Sequence, residues 1–450
     1  MRGINMAINP KVFKAYDVRG VYPSDINEEV ASATAKALAF HLQSKEIAVG
    51  RDARASSPSL FSAITKALVE VGVKVIDIGL CPTPLLHYTV AKKGFAGGIM
   101  ISASHNPPEY NAFKLVKKPC FQLSSPGDMD FIKKLALNPE VTSKIGDTKG
   151  AVEKLDILTE YVAELSEHFS GMKPLTVVVD YGNGMGSITA KPVMEKLGIK
   201  VIPLFEEINI INPTHHANPA EEKNLEELKK AVVERKADLG IAFDGDADRA
   251  FIIDDKGKTV YPDIMMALLV PSQLKGRSDK RVYYDLRSSK ILPDVIKENH
   301  GEAIMMRVGN PFTKEKLLTD GGVFGGELAG HIMFQDHYCV DDGLYAALKV
   351  MDAVAESSKK LSELVKPLHK YYHTPEINTQ VANPDEVINK VKEAFKDGEL
   401  NELDGILINY PGWWFSLRKS NTEPVVRLRL EADTSEKMHE MRDKILAMLK

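Results

Sequence analysis

The run DGDADR at 244–249 sets Asp244, Asp246 and Asp248 at alternate positions directly after the apolar stretch ADLGIAF. If the backbone curls there, the carboxylates converge on one hard cation through oxygen ligands. Carboxylates that close repel one another when no cation is present. A solvated acidic turn is the competing account of such a run. An EF-hand is not, because its sixth position would hold Arg249 instead of Gly and its twelfth Asp255 instead of Glu. Arg249, adjacent to the aspartates, points to an anion sharing the site.

A second stretch, MISASHNPPEYNAFK at 100–114, drives an apolar strand to its end and leaves Ser104 there, followed by His105, two prolines that stiffen the loop, and Lys114. Alone, such a serine reads as a turn cap; beside a metal loop it can carry a phosphoryl group. Near the C-terminus, RKSNTEPVVRLRLEA packs Arg418, Ser420, Asn421, Thr422 and Arg427 into a short span. Forked guanidinium donors, hydroxyls and an amide around a turn suit a phosphate, and a hairpin with surface arginines is the plainer alternative. GGELAGH at 325–331 offers Glu327 and His331 to sugar hydroxyls, or is a glycine hairpin with incidental polar groups. DYGNGMGS at 180–187 misses G-x-G-x-x-G, since Ser187 closes it, and reads better as a tight strand-to-helix turn than as a nucleotide loop.

These residues fall where strands hand over to helices. EIAVG, VKVIDIG and GGIMISA alternate with helical periods in the first 140 residues, arguing for a largely parallel α/β sheet with its ligand-bearing loops at the strand ends. One of those helices is expected to open with Ser57 as N-cap and Pro58 in the first turn. The pattern restarts near 150 with LTVVVD, a charged helix AEEKNLEELKKAVVERK, and a hairpin around Asp255-Lys256-Gly257. It restarts again near 256, with RVYYD, AIMMR and the helix DDGLYAALKVMDAVAES. The stretch 366–374 reads as a linker, and the tail as a smaller α+β domain. The expected domains are therefore 1–149 with the serine loop, 150–255 with the aspartate loop, 256–368 with the sugar-reading loop and 369–450 with the phosphate-binding turn.

The chain of 450 residues is long enough for several cores. Its 58 basic and 62 acidic side chains, net charge −4, disfavour a nucleic-acid binder. The three cysteines are far apart and form no CxxC, so neither a disulfide framework nor a zinc site is expected. The N-terminal residues lack an apolar signal-peptide core and no run is long enough to span a bilayer, which leads to the expectation of a cytoplasmic, membrane-free protein.

YDVRG at 16–20, SASHNP at 102–107, DGDADR at 244–249, GELAGH at 326–331 and RKSNTEP at 418–424, in that order, resemble the α-D-phosphohexomutase superfamily, specifically its phosphomannomutase/phosphoglucomutase branch. The resemblance covers essentially the whole chain. It implies three related α/β domains with mixed sheets plus a C-terminal α+β domain, around a central cleft. It also implies a phosphoserine at Ser104 and Mg2+ held by Asp244, Asp246 and Asp248 with a phosphoserine oxygen. A hexose 1,6-bisphosphate would serve as intermediate and activator, and the reaction would exchange the 1- and 6-phosphates of a small-molecule hexose phosphate. Arg19, Lys114 and Arg249 correspond to cations around the transferring group, with Lys114 and His331 as general acid/base. Tyr16, Arg287, Glu327, His331, Arg418, Ser420, Asn421, Thr422 and Arg427 correspond to substrate-binding residues. The protein would act as a monomer or small homo-oligomer. Two departures fall in the sugar-reading region: Ala329 where the family usually has Ser, and Asn310 where it often has His. Asn421 fits the hexose mutases better than the glucosamine branch. A phosphoglucosamine-type mutase, a non-catalytic sugar-phosphate binder and a metal-dependent phosphatase are the competing functions.

Overall fold

In the computed structural model the described residues are 8–138, 149–419 and 425–449. They fall into two compact units, Met1–Val260 with Ala329–Leu361, and Tyr261–Leu328 with Ser362–Lys450.

The first unit contains two sheets. One is built from β1 (Val18–Val21), β2 (Glu46–Arg51), β3 (Lys74–Leu80), β4 (Gly97–Ile101), β5 (Tyr110–Lys117) and β6 (Val152–Lys154), in the order β1-β5-β4-β2-β3-β6. β4, β2, β3 and β6 run parallel, while β5 turns back antiparallel on β4 and carries β1 antiparallel on its far side. The parallel expectation thus holds for the centre and fails at one edge, for a local reason: the loop after β4 is too short for a crossover helix, so it returns as a hairpin. β4 is buried at every position, as a central strand covered by helices on both faces must be. Helix Glu28–Leu42 starts cleanly because Asn27 accepts hydrogen bonds from the Glu29 and Val30 amides. The Ser57 N-cap expectation is corrected by one residue. Ser56 is the cap of Ser57–Glu70, and Ser57 instead donates to Asp52 Oδ1 at 2.5 Å.

The other sheet of this unit comprises β7 (Thr176–Asp180), β8 (Lys200–Leu204), β9 (Leu239–Phe243), β10 (Ala250–Asp254) and β11 (Thr259–Val260), in the order β11-β10-β9-β7-β8. Its centre is parallel and its β9-β10-β11 edge antiparallel, so DGDADR is the connection between two antiparallel strands. Residues 329–361, within the span read as a third domain, pack here. Gly343 opens helix Gly343–Ser357 and lies so close to the Arg249 backbone that a Cβ would sit 2.7 Å from it.

The second unit holds a parallel sheet, β13-β12-β14, from β12 (Arg281–Asp285), β13 (Glu302–Met306) and β14 (Phe324–Gly326). It also holds an antiparallel sheet of β15 (Tyr372–His373), β16 (Ile377–Gln380), β17 (Glu399–Asn401), β18 (Ile406–Tyr410), β19 (Trp413–Lys419) and β20 (Val425–Ala432). The latter closes over its own core with helices Pro384–Ala394 and Ser435–Met448, the α+β tail expected from sequence. The linker expected at 366–374 is corrected: Lys366–Leu368 forms a 3-10 turn, and Tyr372–His373 pairs with Glu431–Ala432. Backbone groups of this stretch find partners in β20, which an open linker would leave to water.

Candidate active site

Ser104 ends β4's run in the left-handed region, with φ +53°. That conformation costs free energy for a residue with a Cβ, and it persists only where its surroundings fix it. Here the fixing is done by Arg54, from the GRDARAS loop after β2. Its guanidinium donates to the carbonyls of Ser104 (2.9 Å), Asn106 (2.7 Å), Pro107 (2.6 Å) and Tyr110 (3.0 Å). Its own charge is balanced by Asp52, at 3.1 Å from Nε. Ser102 Oγ adds a bond from the Ser104 amide, at 3.1 Å. Arg19 braces the same loop, donating to Ala103 O at 3.3 Å and to Asn106 Oδ1 while paired with Asp17.

The aspartate loop meets this serine directly. Ser104 Oγ donates to Asp244 Oδ2 at 2.8 Å, and Arg249 Nη2 stands 3.4 Å from the same hydroxyl while pairing with Asp244 at 2.7 Å. The approach depends on Gly245, where a Cβ would lie 2.5 Å from the Ser104 carbonyl. Behind it, Gly184 of DYGNGMGS comes so close that a Cβ would sit 2.7 Å from Gly245 O. That loop is therefore a buttress for the aspartates, in keeping with its reading as a tight turn.

Asp244, Asp246 and Asp248 are buried, and each offers a carboxylate oxygen within 4.8 Å of the others. Lys114 on β5 pairs with Asp246 at 2.6 Å and Asp248 at 2.7 Å, and Thr83 donates to Asp246. Burial pushes the Asp244 carboxyl up, with Asp248 and Asp246 adding to the push against Arg249. Burial alone would raise Asp248 too, but Lys114, His331 and Arg249 hold it well below the carboxylate range. For Lys114, burial works against the ammonium and the aspartates more than reverse it, so the proton is held tightly. His105, buried and facing Arg249 and Arg19, is kept neutral. Asp246 Oδ1 and Asp248 Oδ1 are buried with no hydrogen-bond partner among the described residues. Buried carboxylate oxygens left without donors suit a bound cation, and the all-oxygen donor set suits a hard one. His331 stands 3.5 Å from Asp248 Oδ1, on the metal side of the loop that carries it. Tyr16 is partly buried, and its carbonyl accepts from Gln122.

The second unit gathers a separate group. Arg287, after β12, is locked to Asp285 at 2.5 Å and reaches to 4.0 Å from Glu327. Glu327 accepts from the Gly309 amide at 2.6 Å, and Gly309 precedes Asn310 at the start of helix Asn310–Thr319. Arg418 and Arg427, opposite each other on β19 and β20, share Glu376, with Arg418 at 2.9 Å from one carboxylate oxygen and Arg427 at 3.1 Å from the other. Arg287 stands 3.7 Å from the first of these oxygens. Ser420, Asn421 and Thr422, expected to join them, lie outside the described residues.

Sequence reasoning missed Arg54 and Glu376. The first sits in a loop noted only as polar, and the second in the segment taken to follow a linker. A charged residue between a strand and an N-capping serine, as in GRDARAS, is the signal that could have flagged Arg54. Arg54→Lys keeps the charge opposite Asp52 but loses the fork that holds four carbonyls. A misplacement of about 1 Å at a reacting group costs on the order of a hundredfold. The expected result is a kcat lowered about that much with KM nearly unchanged and a folded protein by thermal denaturation; an unaltered kcat would remove Arg54 from this role.

Models of phosphoglucomutase/phosphomannomutase alpha/beta/alpha domains I, II and III match residues 10–139, 159–257 and 261–372, and that of the C-terminal domain matches 376–448. A phosphomannomutase/phosphoglucomutase of Pseudomonas putida is 34% identical over 448 residues, covering 97% of this chain and 95% of that protein. A phosphomannomutase of Methanocaldococcus jannaschii is 34% identical over 437 residues, 96% of each chain. The crystal structure of a phosphoglucomutase/phosphomannomutase family protein from Burkholderia thailandensis superposes with a TM-score of 0.90 at 30% identity, over 98% of both chains. With all four domain models in order and relatives of this identity along its length, the chain belongs to the phosphoglucomutase/phosphomannomutase family of the α-D-phosphohexomutase superfamily.

Proposed function

We propose that the protein is a phosphohexomutase that interconverts the 1- and 6-phosphates of mannose or glucose, with Ser104 as the residue that carries the phosphoryl group. The observation that carries this reading is the Ser104 hydroxyl bonded to Asp244 at the mouth of three buried carboxylates, two of which keep an oxygen without a donor. The names of the full-length relatives support it. Asp244, Asp246 and Asp248 would hold Mg2+, whose charge, when bound, offsets that of the transferring phosphoryl group.

Ser104 Oγ bears the phosphoryl group and gives it to the free hydroxyl of the hexose phosphate. The P–Oγ bond breaks, a bond to the sugar oxygen forms, and the hydroxyl proton leaves. His331 takes that proton, because the Lys114 ammonium spends its donors on Asp246 and Asp248. The other phosphate of the resulting 1,6-bisphosphate then returns to Ser104, and an added bisphosphate primes an unphosphorylated enzyme. Arg249 and Arg19 supply fixed positive charge at the serine loop. Arg287, Arg418 and Arg427, with Ser420, Asn421 and Thr422, hold the phosphate that is not being transferred, and Glu327 reads sugar hydroxyls. No helix among the described residues is long and apolar enough to cross a membrane, in keeping with a small-molecule substrate met in water.

The test is a panel of mannose, glucose and N-acetylglucosamine 1-phosphates with Mg2+ and trace bisphosphate, with the sugar product and free phosphate measured separately. Conversion to the 6-phosphate without phosphate release is expected, and stoichiometric phosphate release would replace the mutase with a phosphatase. Arg418→Ala is expected to raise KM by about 100-fold, the loss of a charged, forked contact, while Ser104 is still phosphorylated by a small phosphoryl donor. Equal loss of both would give Arg418 a folding role instead.

A further inference from the structure

The arginine cluster of the second unit is already partly satisfied from within the chain. Glu376 sits just before β16 and is a fifth exposed. Its two oxygens are divided between Arg418 and Arg427, with Arg287 beyond. The other carboxylates near the cluster, Asp285 and Glu327, both lie on the Arg287 side. Arg418 and Arg427 thus have Glu376 as the one acidic partner shown for them among the described residues. Burial would raise the Glu376 carboxyl, but Arg287, Arg418 and Arg427 pull it down to about 2, so it stays charged at any working pH. The arginines are not saturated: Arg427 Nε is buried with no hydrogen-bond partner among the described residues, and a guanidinium carries five N–H donors in all.

Two consequences follow from this geometry. Opposed guanidinium groups repel, and a carboxylate shared between them keeps both forks in place when no other anion is present. The same carboxylate stands beside any phosphate those forks take up, and like charges in a half-buried site disfavour one another. A clamp built from three arginines alone would hold a phosphate tightly and let go slowly. A mutase must release its phosphate in every cycle, so an internal anion that lowers the grip serves turnover.

We propose that Glu376 is the internal counter-anion of the Arg287–Arg418–Arg427 cluster, positioning the forks between turnovers and competing with the substrate's phosphate for them. This rests on the reading of that cluster as the seat of the non-transferring phosphate. Glu376 is a positioning residue, acting through the arginines and not on the reacting atoms.

The experiment compares E376Q, which removes the charge at constant shape, with E376D, which keeps it. The probe is inorganic phosphate, titrated by calorimetry into each full-length variant and used as a competitive inhibitor of turnover. If Glu376 competes, E376Q binds phosphate about tenfold more tightly, the size expected for removing one charge near an anion in a partly screened site. KM falls with kcat in E376Q, and the effect shrinks in high salt. E376D stays near the parent protein. If Glu376 were only a brace, E376Q and E376D would both bind phosphate more weakly, and that result, or no change in E376Q, overturns the proposal. Arg418→Ala separates the two readings. If it leaves phosphate affinity unchanged, the clamp itself is misread and the proposal falls with it. If it weakens phosphate binding while E376Q does not strengthen it, the clamp stands and the role of Glu376 alone falls. Calorimetry needs no turnover, so a tighter E376Q supports the proposal even where sugar assays fail. A variant that unfolds shows itself by thermal denaturation, and unfolding of E376Q alongside a folded E376D would count for a structural requirement for the charge and against competition.

Discussion

Asp246→Asn lowers turnover by about three orders of magnitude with the fold retained: this is the expected result of removing one oxygen ligand's charge from the aspartate loop. The loop has three buried carboxylates and two nearby cations, Lys114 and Arg249, so it carries an excess of negative charge that a divalent cation would offset. Asp246 Oδ1 has no hydrogen-bond partner among the described residues, while Oδ2 is occupied by Lys114 and Thr83. Asparagine keeps one oxygen for those donors and loses the charge that faces the cation. Neutralisation of phosphoryl charge is worth several kcal/mol, and about 1.4 kcal/mol is tenfold in rate, so the loss runs to about a thousandfold. The substitution also relieves repulsion in the loop, which favours a stable variant. The measurement is steady-state turnover with thermal denaturation in parallel, with and without Mg2+. The parent protein gains thermal stability with Mg2+ because a ligand of the folded state stabilises it, and the variant does not. Unchanged turnover in the presence of a chelator would remove the cation from the reaction.

Much of this site is legible in the sequence because its chemistry is written in short runs. Asp244, Asp246, Asp248 and Arg249 sit within six residues, so one turn of backbone brings them together without help from distant elements. Ser104 was placed at a strand end by the apolar run that precedes it, and β4 ends there. What holds these groups in place is nonlocal. Arg54 reaches carbonyls more than fifty residues away, Lys114 finds Asp246 across 132, and the DYGNGMG loop supports Gly245 through backbone approach alone. No spacing rule encodes such contacts, because they depend on the strand order β5-β4-β2, which the alternation of strands and helices leaves open. The antiparallel β5 was equally hidden, since its apolar run reads like any central strand. Glu376 was missed for a related reason. The hinge reading of 366–374 drew attention to what moves, whereas the chain there pairs with β20 and delivers Glu376 to two arginines.

Ser104→Ala is expected to abolish covalent phosphorylation and with it nearly all turnover, by about a thousandfold or more, since a nucleophile divides one difficult transfer into two easier ones. Ser104 Oγ lies 2.8 Å from Asp244 and 3.4 Å from Arg249, with the aspartate loop on one side and the loop held by Arg54 on the other. Alanine removes that oxygen and little else. The bonds that fix the local backbone, from Arg54 Nη2 to Ser104 O and from the Ser104 amide to Ser102 Oγ, do not involve the side chain, so the φ of +53° is supported as before. The loss of one hydroxyl from a loop already rich in negative charge leaves Asp244 paired with Arg249, and thermal stability should change little. Incubation with a hexose 1,6-bisphosphate followed by intact-mass measurement should show one phosphate on the parent protein and none on the variant, with a peptide map placing it on residue 104. Because the aspartate loop is intact, the variant should still gain thermal stability from Mg2+, which distinguishes a missing nucleophile from a damaged site. A phosphate that persists on Ser104→Ala would move the carrier to another residue, and a variant that turns over at the parent rate would show that transfer does not pass through this serine.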